Sequence, residues 1–117
     1  MPIFKAGDVV RVPSPYVEAE TREMRPALVI SAAPIGPDAS LIWALMITST
    51  ANRGWQGDVS LEDNHAACGL PIPSVIRTEK VAVLETRSAG RLGCITPDQL
   101  AEVMAKVGGH LGIGHAL

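Results

Sequence analysis

The chain has 117 residues, a formal net charge of -2 and a pI near 5.9. That is one domain, large enough to bury a core without disulfides or a structural metal. It has no general attraction for nucleic acid of the kind a basic domain exerts, so any RNA or DNA site must be local. Hydrophobic residues make up 47% of the chain, yet there are only one Phe, one Tyr and two Trp, so the core must be built from Val, Ile, Leu, Ala and Met. Cys68 and Cys94 show neither a CxxC spacing nor a Cys/His cluster. They suggest no zinc site, cofactor or redox pair and read as reduced, partly buried thiols. No signal-type apolar segment, no run of 18 apolar residues and no lipidation motif occurs, so a cytoplasmic protein without a membrane partner is expected.

In chain order, the turn pair Gly7-Asp8 leads into Val9-Val10-Arg11-Val12, a strand with Val10 and Val12 on one face and Arg11 on the other. Pro13 and Pro15 end it. Residues 14–24 are polar and without hydrophobic period, a loop of the length that small domains keep for function or motion. Leu28-Val29-Ile30 is an unbroken β-prone row with Pro26 at the strand's first position. Residues 33–38 are dense in turn formers, and residues 41–50 then form the longest apolar run, the expected central strand. Alternation puts Leu41, Trp43, Leu45 and Ile47 on one face and Ile42, Ala44, Met46 and Thr48 on the other. Two apolar faces call for a core on one side and a second layer or a partner subunit on the other.

Residues 52–57 read as a connector, 58–61 as a short edge strand, and 62–68 as loop or a single helical turn. Residues 74–77 and 80–84 read as two short β segments separated by Thr78-Glu79. Residues 88–93 read as a turn and Cys94-Ile95 as a last strand. The helix has the fullest local signature: Thr96 as N-cap, Pro97 at the first position and Gln99 completing a capping box. Leu100, Val103, Met104, Val107 and Leu111 give it one apolar face. Gly108-Gly109 costs it roughly 2 kcal/mol relative to two alanines, so it is expected to fray or end near there. The architecture predicted is mainly β: a small, strongly bent antiparallel barrel or half-barrel with a C-terminal helix.

Three polar groups fall at the ends of strands that would be neighbours: Arg25, Thr48-Ser49 and Arg77-Thr78-Glu79. A ribonuclease working without a metal needs a base for the 2′-hydroxyl, donors for the phosphorane and an acid for the departing 5′-oxygen. Arg25 and Arg77 suit the phosphate, Thr48 or Ser49 a phosphate oxygen, and Glu79 the base. Spacing alone reads them equally as a loop arginine, a strand end and a surface carboxylate paired with Lys80 or an arginine. His65, His110 and His115 form no pattern and read as surface residues. Tyr16 and Trp55 lie in loops, where an aromatic either stacks on an unpaired base or covers the edge of a small core.

Gly7-Asp8-Val9-Val10-Arg11-Val12, Arg25-Pro26-Ala27-Leu28-Val29-Ile30-Ser31, Ile47-Thr48-Ser49 and Pro73-Ser74-Val75-Ile76-Arg77-Thr78-Glu79-Lys80, followed by a closing helix, resemble the MazF/PemK toxins of bacterial type II toxin-antitoxin systems. The resemblance covers residues 6–112. It implies an SH3-like barrel, a homodimer pairing through the central strand, and a neighbouring antitoxin as partner. It also implies sequence-specific, metal-independent cleavage of single-stranded RNA to a 2′,3′-cyclic phosphate and a 5′-hydroxyl. By motif position Arg25, Thr48, Arg77 and Glu79 would be catalytic, with Ser49, Arg53 and the first-loop residues Tyr16, Glu20 and Arg22 contacting RNA. The chain departs from the pattern at Ala19, where one branch has a catalytic histidine, at Ser14, often phenylalanine, and at Glu79, commonly aspartate. The alternatives are a non-catalytic barrel of the gyrase-poisoning CcdB type, which ends in Trp-Gly-Ile where this chain has no tryptophan, and a catalytically impaired toxin that still binds its antitoxin.

Overall fold

The longest apolar run of the sequence becomes the strand at the heart of the sheet. The computed structural model describes residues 3–15 and 23–113. Its strands are β1 (Asp8–Pro13), β2 (Met24–Val29), β3 (Leu41–Ser49), β4 (Asp58–Ser60), β5 (Ser74–Glu85) and β6 (Gly90–Cys94), followed by helix α1 (Pro97–Leu111). They form one antiparallel sheet in the order β4-β5-β3-β2-β1-β6. The sheet is mainly β as expected but does not close, since β4 and β6 are its edges.

β3 is apolar on both faces, and the chain itself covers both. Leu45 and Ile47 enter a cluster with Val9, Leu28, Val59, Leu61, Ile76, Ile95 and Val103. Ile42, Ala44 and Met46 enter a second one with Phe4, Val10, Val12, Ala27, Val29, Ala82 and Leu84. Each fully buried side chain of this size stabilises the fold by about 1.5–3 kcal/mol. Of the two covers expected for the second face of β3, a further layer or a partner subunit, the chain's own residues supply one, and only a patch at one end is left open: Trp43, Val81 and Val83 are 49%, 55% and 59% exposed.

Three other expectations are revised. Pro26 lies inside β2, opposite Arg11 of β1, yet the ladder to β3 begins only at Ala27, so its missing N–H leaves no bond unmade. β5 is one continuous strand of 12 residues. Thr78-Glu79, read as a break, falls in a register shift: Leu45 pairs with Val81 and Ile47 with Ile76, so the extra residues of β5 bulge and bend it. Residues 90–94 are a strand paired to β1, although Gly90 and Gly93 make them read as a turn.

The start of β1 explains its Gly-Asp pair. Gly7 holds φ at 99°, and the buried Asp8 carboxylate accepts from the Lys5 amide at 3.0 Å. The capping box of α1 is complete, with Thr96 Oγ1 accepting from the Gln99 amide and Gln99 Oε1 from the Thr96 amide. The helix passes through Gly108-Gly109 to Leu111 and stops at Gly112, left-handed at φ 73°, where the Ile113 amide donates to the Gly108 carbonyl. Val103 is fully buried, whereas Met104 and Leu111 stay exposed. No helix among the described residues is long and apolar enough to cross a membrane.

Candidate active site

The β2–β3 register brings the site together. Ala27 faces Met46 and Val29 faces Ala44, and the same register carried outward sets Arg25 opposite Thr48. On the other side of β3, Thr48 pairs with Val75, and Arg77 follows two residues along β5, opposite Asp58 of β4. Arg25, Thr48 and Arg77 thus share one end of three adjacent strands.

Two clefts meet there. A polar one of about 300 Å³ is lined by Ser14, Arg25, Met46, Ile47, Thr48, Asn52, Arg77 and Lys80. A more apolar one of about 380 Å³ includes Arg11, Leu70, Pro71, Ile72 and Leu92 in its walls. Arg25, Ile47, Thr48 and Asn52 line both and form the divide between them.

The two arginines differ. Arg25 is half-exposed and its Nη2 lies 2.9 Å from Glu23 Oε1, an ion pair open to solvent on both sides. Such pairs are worth little, so the guanidinium is released at small cost to a phosphate. Arg77 is buried. Its Nε donates to Asp58 Oδ1 at 3.3 Å and its Nη2 to Asp58 Oδ2 at 3.4 Å and to the Asn52 carbonyl. Its face lies 4.2 Å from the Trp55 ring centroid. Among the described residues three of its five donors are thereby committed, leaving the two on Nη1. Asp58 in turn accepts from the Gly54 and Trp55 amides, both at 3.3 Å, so one carboxylate fixes the loop and the arginine together.

Thr48 Oγ1 accepts from Asn52 Nδ2 at 3.0 Å. Ser49 Oγ accepts from the Ala51 amide at 3.1 Å and caps the 3-10 turn Thr50–Asn52. It also lines the apolar cleft. Arg53 is exposed, 3.9 Å from Glu62, and lines neither cleft. Glu79 lies across the strand bend from Arg77: its Oε1 accepts from the Gly57 amide at 3.3 Å, and it lines a separate groove with Thr78 and His110. Tyr16, Glu20 and Arg22, and the histidine position Ala19, lie outside the described residues.

Asn52, Asp58 and Lys80 belong to this end of the sheet and were not singled out from sequence. The run Ser49-Thr50-Ala51-Asn52 carries a usable signal, since serine and threonine favour local turns that fold the chain back. The Asp58–Arg77 pair spans 19 residues and leaves no local trace. Burial pushes the Cys68 thiol above its ordinary pKa, and the nearby Cys94 adds to this. Both cysteines are free, Cys68 buried and Cys94 exposed. Among the described residues no group of three His, Cys, Asp or Glu side chains is placed to hold a metal ion.

This architecture, an open six-stranded antiparallel sheet with one closing helix, is similar to that of solved toxin structures. MazF of Deinococcus radiodurans matches with a TM-score of 0.75 and 31% identity, over 97% of this chain and 100% of that one. A MazE-MazF complex from the same organism matches at 0.74 and 29%, over 97% and 100%. An endoribonuclease from a mycobacterial species, solved with its cognate antitoxin, matches at 0.74 over 99% and 100%, and at 17% identity bears on the fold alone. No curated protein sequence matches significantly. The family of PemK-like, MazF-like toxins of type II toxin-antitoxin systems matches residues 5–111, and the chain belongs to it.

Proposed function

We propose that this toxin is an endoribonuclease that cuts single-stranded RNA at specific sequences without a metal ion. The observation that carries the reading is the meeting of Arg25 and Thr48 on the divide between a basic cleft and an apolar one. A scissile phosphate on that divide receives the Arg25 fork and the Thr48 hydroxyl, while the apolar cleft takes an adjoining base. Lys80 and the Nη1 of Arg77 add positive charge to the polar side. Attack of the 2′-oxygen on phosphorus and departure of the 5′-oxygen leave a 2′,3′-cyclic phosphate and a 5′-hydroxyl. For Glu79, which lines neither cleft, to take the 2′-hydroxyl proton, its carboxylate must turn from the groove it shares with His110 toward the polar cleft. Ser49 and Arg53, with Tyr16, Glu20 and Arg22, complete the proposed RNA contacts.

Partners follow from the same reading. The D. radiodurans MazE-MazF complex supports an antitoxin partner for this chain. The groove of about 370 Å³ that Thr78, Glu79 and His110 share with Ile30, Trp43, Leu45, Val81, Val107 and Leu111 is mostly apolar and suits a second copy. The protein is accordingly proposed to work as a homodimer in the cytoplasm.

The test is incubation of the protein with a long single-stranded RNA in EDTA, beside Arg25→Ala. Discrete cuts with 5′-hydroxyl ends, lost in the variant, are expected. No cutting by antitoxin-free protein would overturn the reading and favour a binding role for the barrel.

A further inference from the structure

We propose that Asn52 is a positioning residue that sets the direction of the Thr48 hydroxyl proton. The inference rests on the reading above, in which that proton is given to a phosphate oxygen. A hydroxyl has one proton and two lone pairs. Asn52 Nδ2 donates to Thr48 Oγ1, occupying a lone pair, so the hydroxyl proton must point elsewhere. Both residues line the polar and the apolar clefts, and a proton turned away from Asn52 is available to a phosphate on the divide.

The amide is held by its own backbone. The turn Thr50–Asn52 is capped by Ser49 and tied at its start by the Thr50 amide to the Pro73 carbonyl at 3.0 Å. At its end the Asn52 carbonyl accepts from Arg77, which Asp58 and Trp55 fix in place. A buried ion pair thus acts on the site indirectly: Asp58 orients Arg77, Arg77 holds Asn52, and Asn52 orients Thr48. Preorganised donors lower a barrier because no reorganisation is needed when charge develops. A threonine free to rotate forfeits part of that.

The experiment uses an oligoribonucleotide spanning a cut site mapped with the wild-type protein, and compares Asn52→Ala, Asn52→Asp, Thr48→Ala and the double variant Thr48→Ala/Asn52→Ala. Asn52→Ala is expected to lower kcat about tenfold, the scale of one hydrogen bond's net worth, with KM within about twofold. Asn52→Asp is expected to lower kcat further, because a carboxylate offers only acceptors and draws the hydroxyl proton back. In the Thr48→Ala background, Asn52→Ala is expected to add nothing, and melting curves of the two single Asn52 variants should match the wild type. Equal losses in both backgrounds, or wild-type rates in Asn52→Ala, would overturn the positioning role while leaving the nuclease reading intact. A wild-type protein that cuts nothing, or a Thr48→Ala variant that cuts normally, would overturn it at its premise instead.

Discussion

The rim around Arg25 and the niche around Arg77 present the same side chain in opposite circumstances. Arg25 is held by one solvent-exposed pair, whereas Arg77 is held from three sides inside the protein. An arginine at a rim can change partners, and one in a niche determines where its neighbours stand. Read from sequence, both are strand-end arginines fit for a phosphate, and the structure separates an exposed guanidinium from a buried, hydrogen-bonded one.

The comparison is broken most severely at Arg77. Arg77→Ala leaves the half-buried Asp58 with only the Gly54 and Trp55 amides to meet its charge, and the expected loss of stability is about 3 kcal/mol, the lower end for a broken buried pair. Chemical denaturation should show it as a lower midpoint with an unchanged slope. Arg25→Ala should do the reverse. Its melting temperature is expected to stay near the wild-type value, while kcat/KM for RNA cleavage falls about 10²–10³-fold, the usual loss of one transition-state donor. Equal behaviour of the two variants in both assays would erase the distinction.

What the sequence made legible follows from this contrast. Arg25 and Thr48 could be placed because an apolar run on each side fixes a strand and a polar break fixes its end. The full capping signature of α1 is equally local. The bonds that matter at Arg77 are not local: Asp58 lies 19 residues back and Asn52 25 residues back. Continuity of β5 is hidden for a related reason, since Thr78 and Glu79 look like a break between two segments when their polar groups are read without the partners they meet. Thr78 Oγ1 donates to the Gly57 carbonyl at 2.6 Å, and Glu79 accepts from the Gly57 amide. The end of α1 lies close to the expected place, two residues past the glycine pair; the left-handed Gly112 cap and the 3.0 Å contact of His110 with Thr78 that accompany it are not visible in helix propensity.

A smaller effect sharpens the placement of Glu79. Because its carboxylate is engaged at Gly57 and outside both clefts, Glu79→Gln is expected to cut RNA less than tenfold more slowly than wild type. That is well short of the loss at Arg25. A deficit as large as that of Arg25→Ala, together with loss of the low-pH limb of the rate profile, would assign Glu79 the base after all.

The smallest expected effect is at Trp55, where the sequence leaves two roles open. Its ring is about half exposed, and Arg77 sits over it. If the ring serves chiefly to cover Arg77, Trp55→Ala should cost about 0.5–2 kcal/mol of stability, and Trp55→Phe should restore much of it. KM for RNA should then move less than twofold, because the guanidinium and not a base occupies the stacking position. A base-stacking role makes the opposite forecast, about 1–3 kcal/mol lost from RNA binding in Trp55→Ala with little change in melting temperature. Measuring both quantities on one protein decides between them, and the outcome bears on the niche as a whole. An indole that stabilises Arg77 makes the tryptophan, Asp58 and the Asn52 turn a single support beneath Thr48.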